Sequence, residues 1–295
     1  MNTTSSSGRK VILITGASTG FGRDTSESLH RAGHRVFASM RDIAGRNLAH
    51  AEALRGLSID VLELDVTNQA SVDRAIAELL AKAGRIDVLV NNAGIASAGV
   101  TESFTTEQAQ ALFDVNVFGV MRATRAVLPA LRDQGQGLVI NVGSILGRVT
   151  FPFFGIYGAS KFALEAWSDS LRYELSGLGV DVALVQPSAY PTSMYSSVQQ
   201  PADPAIALAY GPTGEIPGAM FQHFMSLFAA GDAPKPHDVA EAIVKLVAAS
   251  AGQRPARTVV GAPFGADAVN ASTALAQAAV VRGLGLGHLD LAVAI

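Results

Sequence analysis

Tyr157 and Lys161 stand four residues apart in the run Tyr157-Gly158-Ala159-Ser160-Lys161, which opens a stretch of helical sequence. On a helix this spacing puts a phenol and an ammonium one turn apart on the same face. A free phenol titrates near about 10 and is a poor acid–base catalyst at neutral pH. A cation beside it favours the phenolate and draws its pKa toward the working range. Alone, the pair more often describes a solvated helix face. Two other runs point the same way. Asn141-Val142-Gly143-Ser144 closes an apolar strand, and the carboxyl ends of parallel strands line the ligand crevice, so Ser144 is expected beside Tyr157, able to bond a substrate oxygen. Asn91-Asn92-Ala93-Gly94 closes the preceding strand, and its small residues let a cofactor ribose lie against backbone. Asn116 falls inside Glu107–Arg132, read as one long helix and a poor place for Asn by propensity.

A second constellation lies near the start. Val11–Thr15 is an apolar run that enters Gly16-Ala17-Ser18-Thr19-Gly20-Phe21-Gly22 and then helix-permissive sequence to Arg31. Glycines at 16, 20 and 22 suit a sharp strand-to-helix turn in which backbone approaches a pyrophosphate and the helix N-terminus offers free N–H groups and its positive dipole end. The end of the second strand carries Ser39-Met40-Arg41-Asp42. An NAD enzyme places a carboxylate there for the ribose 2′-hydroxyl. An uncharged Met40 followed by Arg41 instead suits a 2′-phosphate, which predicts NADP(H). Asp42 is expected to pair locally at the start of a helix.

The elements that must position these residues follow from short apolar runs alternating with helical segments. Strands are expected at Val11–Thr15, Arg35–Ser39, Ile59–Leu64, Ile86–Val90, Leu138–Val142, Val180–Val185 and Arg257–Val260, with helices at Phe21–Arg31, Asn68–Ala83, Glu107–Arg132, Tyr157–Leu175 and Asp238–Ala249. This is the pattern of an α/β chain with a doubly wound parallel sheet of seven strands flanked by helices, in one domain. The expected divisions are a disordered tail over 1–8, the main domain over 9–265, and a C-terminal helix and tail over 266–295. Residues 188–236, rich in proline and aromatics, are too long for an ordinary connection and suit a lid over the substrate.

Composition closes off several classes. The 295 residues include no cysteine, which excludes disulfides and thiolate catalysis. A net charge of −3 gives no electrostatic case for nucleic acid or an anionic membrane. No signal-like or membrane-spanning run is found, so a soluble, cytoplasmic protein is expected. His223 and His237 have no metal-ligand spacing, and no metal is expected.

Taken in order, these pieces resemble the short-chain dehydrogenase/reductase family: TGASTGFG at 15–22, Asp65 in LDV, NNAG at 91–94, Asn116 in DVNVFG, Ser144 in NVGS, YGASK at 157–161, and Pro187 with Thr192 beyond it. The resemblance covers roughly residues 9–190 and implies a Rossmann fold and a catalytic tetrad. Tyr157 would exchange the proton and Ser144 orient the substrate oxygen. Lys161 would bind the nicotinamide ribose and lower the Tyr157 pKa, and Asn116 would hold a water in a proton relay. It places Gly16, Ser18, Thr19, Gly20, Phe21, Gly22, Met40, Arg41, Ala93, Gly94 and Pro187 along the cofactor. Asp65 and Val66 would flank the adenine, Asn92 would meet the adenosine-side ribose and Thr192 the carboxamide. Met40-Arg41 is similar to NADP-preferring members of the 17β-hydroxysteroid and retinol dehydrogenase types. Pro187-Ser188 departs from the family's common Pro-Gly.

The activity implied is oxidoreduction between a ketone or aldehyde and its alcohol. Phe151, Phe153, Phe154, Tyr190, Met194, Tyr195, Met220, Phe221 and Phe224, with few charges among them, predict a neutral hydrophobic substrate. A cofactor-sensing regulator, or an isomerase or dehydratase that retains its cofactor, would use a similar turn; net cofactor turnover separates them. The apolar helices around Glu107–Arg132 and Tyr157–Leu175 suit pairing across a two-fold axis as a homodimer or homotetramer.

Overall fold

The computed structural model describes residues 8–231 and 233–289, so the expected tail over 1–8 lies, Gly8 apart, outside the described residues. Strands β1 (Val11–Ile14), β2 (Arg35–Met40), β3 (Asp60–Glu63), β4 (Val88–Asn91), β5 (Gly137–Val142), β6 (Val180–Pro187) and β7 (Arg257–Val260) form one seven-stranded sheet in the order β3-β2-β1-β4-β5-β6-β7. Every pairing is parallel. The order reverses between β1 and β4, and at such a switch point the crossovers leave a crevice at the strands' carboxyl ends.

Both faces of the sheet are covered, which is why the strands read as nearly unbroken apolar runs. On one face Ile12, Ile14, Val36, Val90 and Ile140 pack with Leu29 of α1 (Gly20–Arg31), Leu54 of α2 (Leu48–Gly56) and Ile243 of α9 (His237–Ala248). On the other, Leu13, Phe37, Leu89 and Val139 pack with Ile76 of α3 (Gln69–Ala83), Val127 of α5 (Gly119–Asp133) and Leu171 of α6 (Gly155–Leu175). Alternate residues of β1 thus serve opposite cores.

One reading of the sequence needs correction, and two stretches of helix were not foreseen. The span Glu107–Arg132 is not one helix. It is α4 (Thr106–Phe113), a π-helical turn (Asp114–Phe118) and α5, and Asn116 sits in the π turn. The wider turn swings one residue out of the α-helical register. Helix α2 has no expectation behind it; its apolar signal is two buried residues, Ala51 and Leu54. Residues 188–236 are largely helical, with α7 (Pro204–Ala209) and α8 (Pro212–Ala229), because Pro204 and Pro212 occupy first-turn positions where no N–H bond is lost. The C-terminal helix is present as α10 (Ala266–Gly283). No helix among the described residues is long and apolar enough to cross a membrane.

Candidate active site

The glycine turn is built by close approach. Gly16 has φ +68°, and a Cβ there would lie 2.7 Å from Ala93 Cα. A Cβ on Gly22 would lie 2.4 Å from both Asn92 Nδ2 and Gly16 O. The turn between β1 and α1 is thereby pressed against the end of β4. Asn92 Nδ2 donates to Thr15 O and Gly16 O, both at 2.9 Å, and Thr15 Oγ1 accepts from Asn92 N and Ala93 N, both at 3.1 Å. The Asn92 amide, expected at a ribose, is committed to the turn. Thr15, which sequence reasoning passed over, ties β1 to β4; its signal was its place just before Gly16. Thr19, the N-cap of α1, makes no side-chain cap, and the first turn holds no acidic residue. The leading N–H groups of α1 are therefore free for an anion.

From this turn extends a cleft of about 590 Å³. At one end it is lined by Met40, Arg41, Arg46, Asp65 and Val66. Asp42 does not line it: with φ +50°, its Oδ2 accepts from Arg46 N at 3.0 Å and closes the turn before α2. Arg46 is a second cation at this end that the sequence pattern did not single out. Asp65 Oδ1 accepts from Thr67 N at 2.9 Å and Thr67 Oγ1 at 2.7 Å, which fixes the backbone of the 65–66 corner.

Midway along the cleft lie Gly94, Ser144, Tyr157, Lys161, Pro187 and Thr192. Ser144 follows β5 and its Oγ accepts from Leu146 N at 3.1 Å, which orients the hydroxyl. The Tyr157 hydroxyl hydrogen-bonds Ser144. One turn further along α6, Lys161 Nζ donates to Val142 O at 3.0 Å and stands 5.6 Å from the Tyr157 ring centroid. Thr192 approaches Gly20, and Ser193 Oγ lies 2.9 Å from Thr19 Oγ1, so the 188–195 segment meets the turn across the cleft.

The electrostatics differ from the expected lowering of the Tyr157 pKa. Burial pushes Tyr157 up to about 12, with the Ser144 hydrogen bond pulling the other way. Burial brings Lys161 down to about 8, opposed by the charge of Glu165. Both groups are shielded from water, and desolvation penalises phenolate and ammonium alike. Tyr157 is accordingly a neutral phenol at pH 7, poised to give a proton.

The π turn aims Asn116 at the backbone of residue 95. Its Oδ1 accepts from Ile95 N at 2.9 Å, and its Nδ2 donates to Ile95 O at 2.9 Å and Ser160 Oγ at 3.1 Å. Both amide hydrogens are used, which leaves one lone pair of Oδ1. A side chain on Gly94 would start 3.4 Å from that oxygen and 3.9 Å from Lys161 Nζ, so the two groups face a common space that glycine keeps open.

At the far end the walls are apolar. Ile95, Ala96, Leu146, Phe151, Phe154, Met194, Tyr195, Val198 and Phe224 line it. Of the expected mouth residues, Phe153, Met220 and Phe221 do not, and Tyr190, though it touches the cleft, is a buried core residue packed edge-on against Phe21. Tyr195 packs tilted against Phe224 and edge-on against Phe228 of α8, at ring-centroid separations of 6.2 and 4.9 Å. The helical insertion thus roofs this end. Among the described residues no cluster of three or more His, Asp or Glu side chains is arranged to hold a metal ion.

Comparison with known proteins agrees with this geometry. The short chain dehydrogenase family model matches residues 10–203. The 3-ketodihydrosphingosine reductase of Bacteroides thetaiotaomicron is 39% identical over 183 residues, 62% of this chain and 65% of that protein. The match thus spans slightly under two thirds of that relative's length. A solved short-chain dehydrogenase from Streptomyces avermitilis superposes with a TM-score of 0.76 at 30% identity, covering 96% of this chain and 99% of that one. A 3-ketoacyl-(acyl-carrier-protein) reductase from Brucella melitensis, solved in complex with NADH, superposes at 0.71 with 26% identity over 86% of this chain and 98% of that one. A sheet in this order, a glycine turn at its switch point and a family match over more than half of the sequence give one conclusion: the chain belongs to the short-chain dehydrogenase family of oxidoreductases.

Proposed function

We propose that this protein is an NADPH-dependent reductase of a neutral, hydrophobic ketone or aldehyde. The observation that carries the reading is the Ser144–Tyr157–Lys161 group set midway in a cleft, with the glycine turn and two arginines at one end and apolar walls at the other. The residues present suit the coenzyme: uncapped N–H groups of α1 for the pyrophosphate, Arg41 and Arg46 for a 2′-phosphate, and Lys161 for the nicotinamide ribose. When bound, NADPH supplies a hydride from nicotinamide C4 to the carbonyl carbon.

The chain's own groups handle the oxygen. Ser144 and Tyr157 hydrogen-bond it, and Tyr157 gives up its proton as the oxygen gains charge. Lys161, as the nearby cation, steadies the phenolate that remains. Asn116 braces Ile95 and Ser160 beside them. The remaining lone pair of its Oδ1 and the Lys161 ammonium face the space before Gly94, where a water would complete a proton path. A neutral Tyr157 is the form that donates the proton in reduction. The apolar far wall and the roof of Tyr195 and Phe224 favour a substrate without charge. We also propose a homo-oligomer, supported by Phe118 and Phe162, which stay 48% and 43% exposed on the helical face formed by the π turn, α5 and α6.

The test is initial-rate NADPH oxidation with a panel of aliphatic, aromatic and steroidal carbonyls over pH 6 to 10. Hydrophobic ketones or aldehydes are expected to be reduced, with kcat/KM level near neutrality and falling above pH about 8 as Lys161 loses its proton. Absence of net NADPH turnover across the panel would sink the reading in favour of a sensor or an isomerase. Coenzyme choice has its own test. Arg41→Ala is expected to weaken NADPH binding about tenfold or more, since a charge-assisted hydrogen bond contributes about 1.5–3 kcal/mol. NADH binding should not change. Equal NADPH affinity in the variant and the parent, measured by fluorescence titration, would refute the 2′-phosphate assignment.

A further inference from the structure

Glu165 is a buried carboxylate, 2% exposed, one helical turn beyond Lys161 on α6, and the chemistry above makes no use of it. It is fully engaged. Gln186 Nε2 of β6 donates to its Oε1 at 2.7 Å, and Arg257 Nε of β7 donates to its Oε2 at 2.8 Å. Arg257 also bonds Asp169, one turn further along α6, at 2.5 Å. Removing a carboxylate from water costs several kcal/mol unless such partners meet it, so its presence on the core side of α6 calls for a role.

Its position supplies one. A Cβ on Gly143 would lie 3.4 Å from Glu165 Oε1, and a Cβ on Gly147 would lie 2.9 Å from Glu165 Cγ and 3.0 Å from Lys161 O. The side chain therefore lies against glycines on both sides of Ser144, and at 147 an added Cβ would crowd both Glu165 and the Lys161 backbone. Behind it, Asn270 Nδ2 of α10 donates to Gln186 Oε1 at 2.7 Å, which orients the Gln186 amide so that its N–H faces Glu165. The Thr273 hydroxyl of α10 accepts from Arg148, the residue after the Ser144 turn.

We infer that Glu165 is a positioning residue for the active site: its carboxylate is the buried counter-charge of Lys161 and seats the turn that carries Ser144, and the C-terminal helix α10 secures it through Asn270 and Gln186. The roles of Lys161 and Ser144 rest on the function proposed above; the juxtaposition does not. The charged groups around Glu165 are Lys161 one turn back on its own helix, Arg257 from β7, whose guanidinium also bonds Asp169, and Arg148 from the loop after β5. Burial raises the Glu165 pKa, and the two arginines act to lower it. Gln186 from β6 is neutral. Of these groups only Glu165 offers Lys161 an opposing charge that raises its pKa.

The experiment reads Lys161 directly, without turnover. Protein labelled with 13C at lysine Cε is titrated by NMR, with the Lys161 signal assigned by its loss in Lys161→Arg. The parent is expected to show a midpoint near pH 8. Glu165→Gln keeps the shape and lowers the midpoint by about one pH unit, the scale of losing a close opposite charge. Glu165→Asp retains the charge and holds the midpoint near the parent value, whereas a merely structural role would leave the midpoint unmoved in both variants while lowering Tm. Asn270→Ala, on the outer helix, lowers it in the same direction by less, and it decides the matter where Glu165→Gln does not fold. A Lys161 midpoint unmoved in Glu165→Gln, or in Asn270→Ala where that variant decides, overturns the inference. The reductase reading stands or falls separately on the NADPH assay.

Discussion

Tyr157→Phe is expected to lower kcat for carbonyl reduction by about 10²–10⁴-fold while leaving NADPH affinity within about twofold, the range set by loss of a positioned general acid. Its ring is part of a buried cluster with Leu146, Ile145 and Ala96, and Phe preserves that volume. Ser144 loses one partner, yet its Oγ keeps the bond from Leu146 N at 3.1 Å, so no buried hydroxyl is orphaned. The folding cost is accordingly small, about 1 kcal/mol or less for one hydrogen bond. The clean outcome is a kcat effect in a protein of near-parent Tm. A variant that reduces ketones at the parent rate would show that the proton comes from elsewhere, for which no other side chain at this point of the cleft is placed as well.

Gly16→Ala carries the other large effect, through a different physical route. Gly16 sits at φ +68°, where an added Cβ costs about 1 kcal/mol in backbone conformation alone. That Cβ would also approach Ala93 Cα to 2.7 Å and Ala93 N to 3.1 Å. These are main-chain atoms of the β4 exit and cannot rotate away. Relief requires the turn to lift from β4, which breaks the 2.9 Å bond from Asn92 Nδ2 to Gly16 O and displaces the N–H groups of α1. NADPH affinity is expected to fall at least tenfold, with a stability loss of about 2–3 kcal/mol in total. Gly84→Ala is the matched control: φ is +71°, but nothing lies within 4 Å of the added Cβ. It pays the backbone term alone and should leave coenzyme binding unchanged. Equal effects of the two substitutions on NADPH binding would show that close packing at Gly16 is irrelevant to the site.

The pH behaviour links these cases. Burial pushes the Tyr157 pKa up to about 12 in the free protein. On the proposed function the acid form needed for reduction persists through neutrality, and the descending limb of the rate is expected to follow Lys161, whose pKa burial brings down to about 8. The sign matters: a lysine pulled down by burial is charged below that pH and neutral above it. Activity that depends on the cation is thus lost as pH rises.

The features legible in the sequence are those whose cause is local. Seven strands were readable because a sheet covered on both faces demands continuous apolar runs, as in Val11–Ile14 and Val180–Pro187. The glycine turn was readable because positive φ and backbone contact leave few alternatives to glycine at 16, 20 and 22. The i, i+4 pair on α6 was readable because helix geometry is regular. Arg41 and Met40 could be placed at the cleft because a strand end is a fixed address in this type of sheet.

What only the tertiary structure decided are quantities set by distant groups. The π turn at Asp114–Phe118 arises where Asn116 finds Ile95 and Ser160, partners 21 and 44 residues away in sequence. Arg46 joins Arg41, and Asp42 is turned from the cleft, because a short turn folds Asp42 back onto the Arg46 amide. Pro204–Ala209 and Pro212–Ala229 are helices because proline can open a helix as well as break a chain. Most of all, the sequence placed a tyrosine beside a lysine and implied a lowered phenol pKa. Burial of both groups pushes the phenol the other way in the free protein, since desolvation depends on every atom packed around the pair and none of those atoms is visible in YGASK.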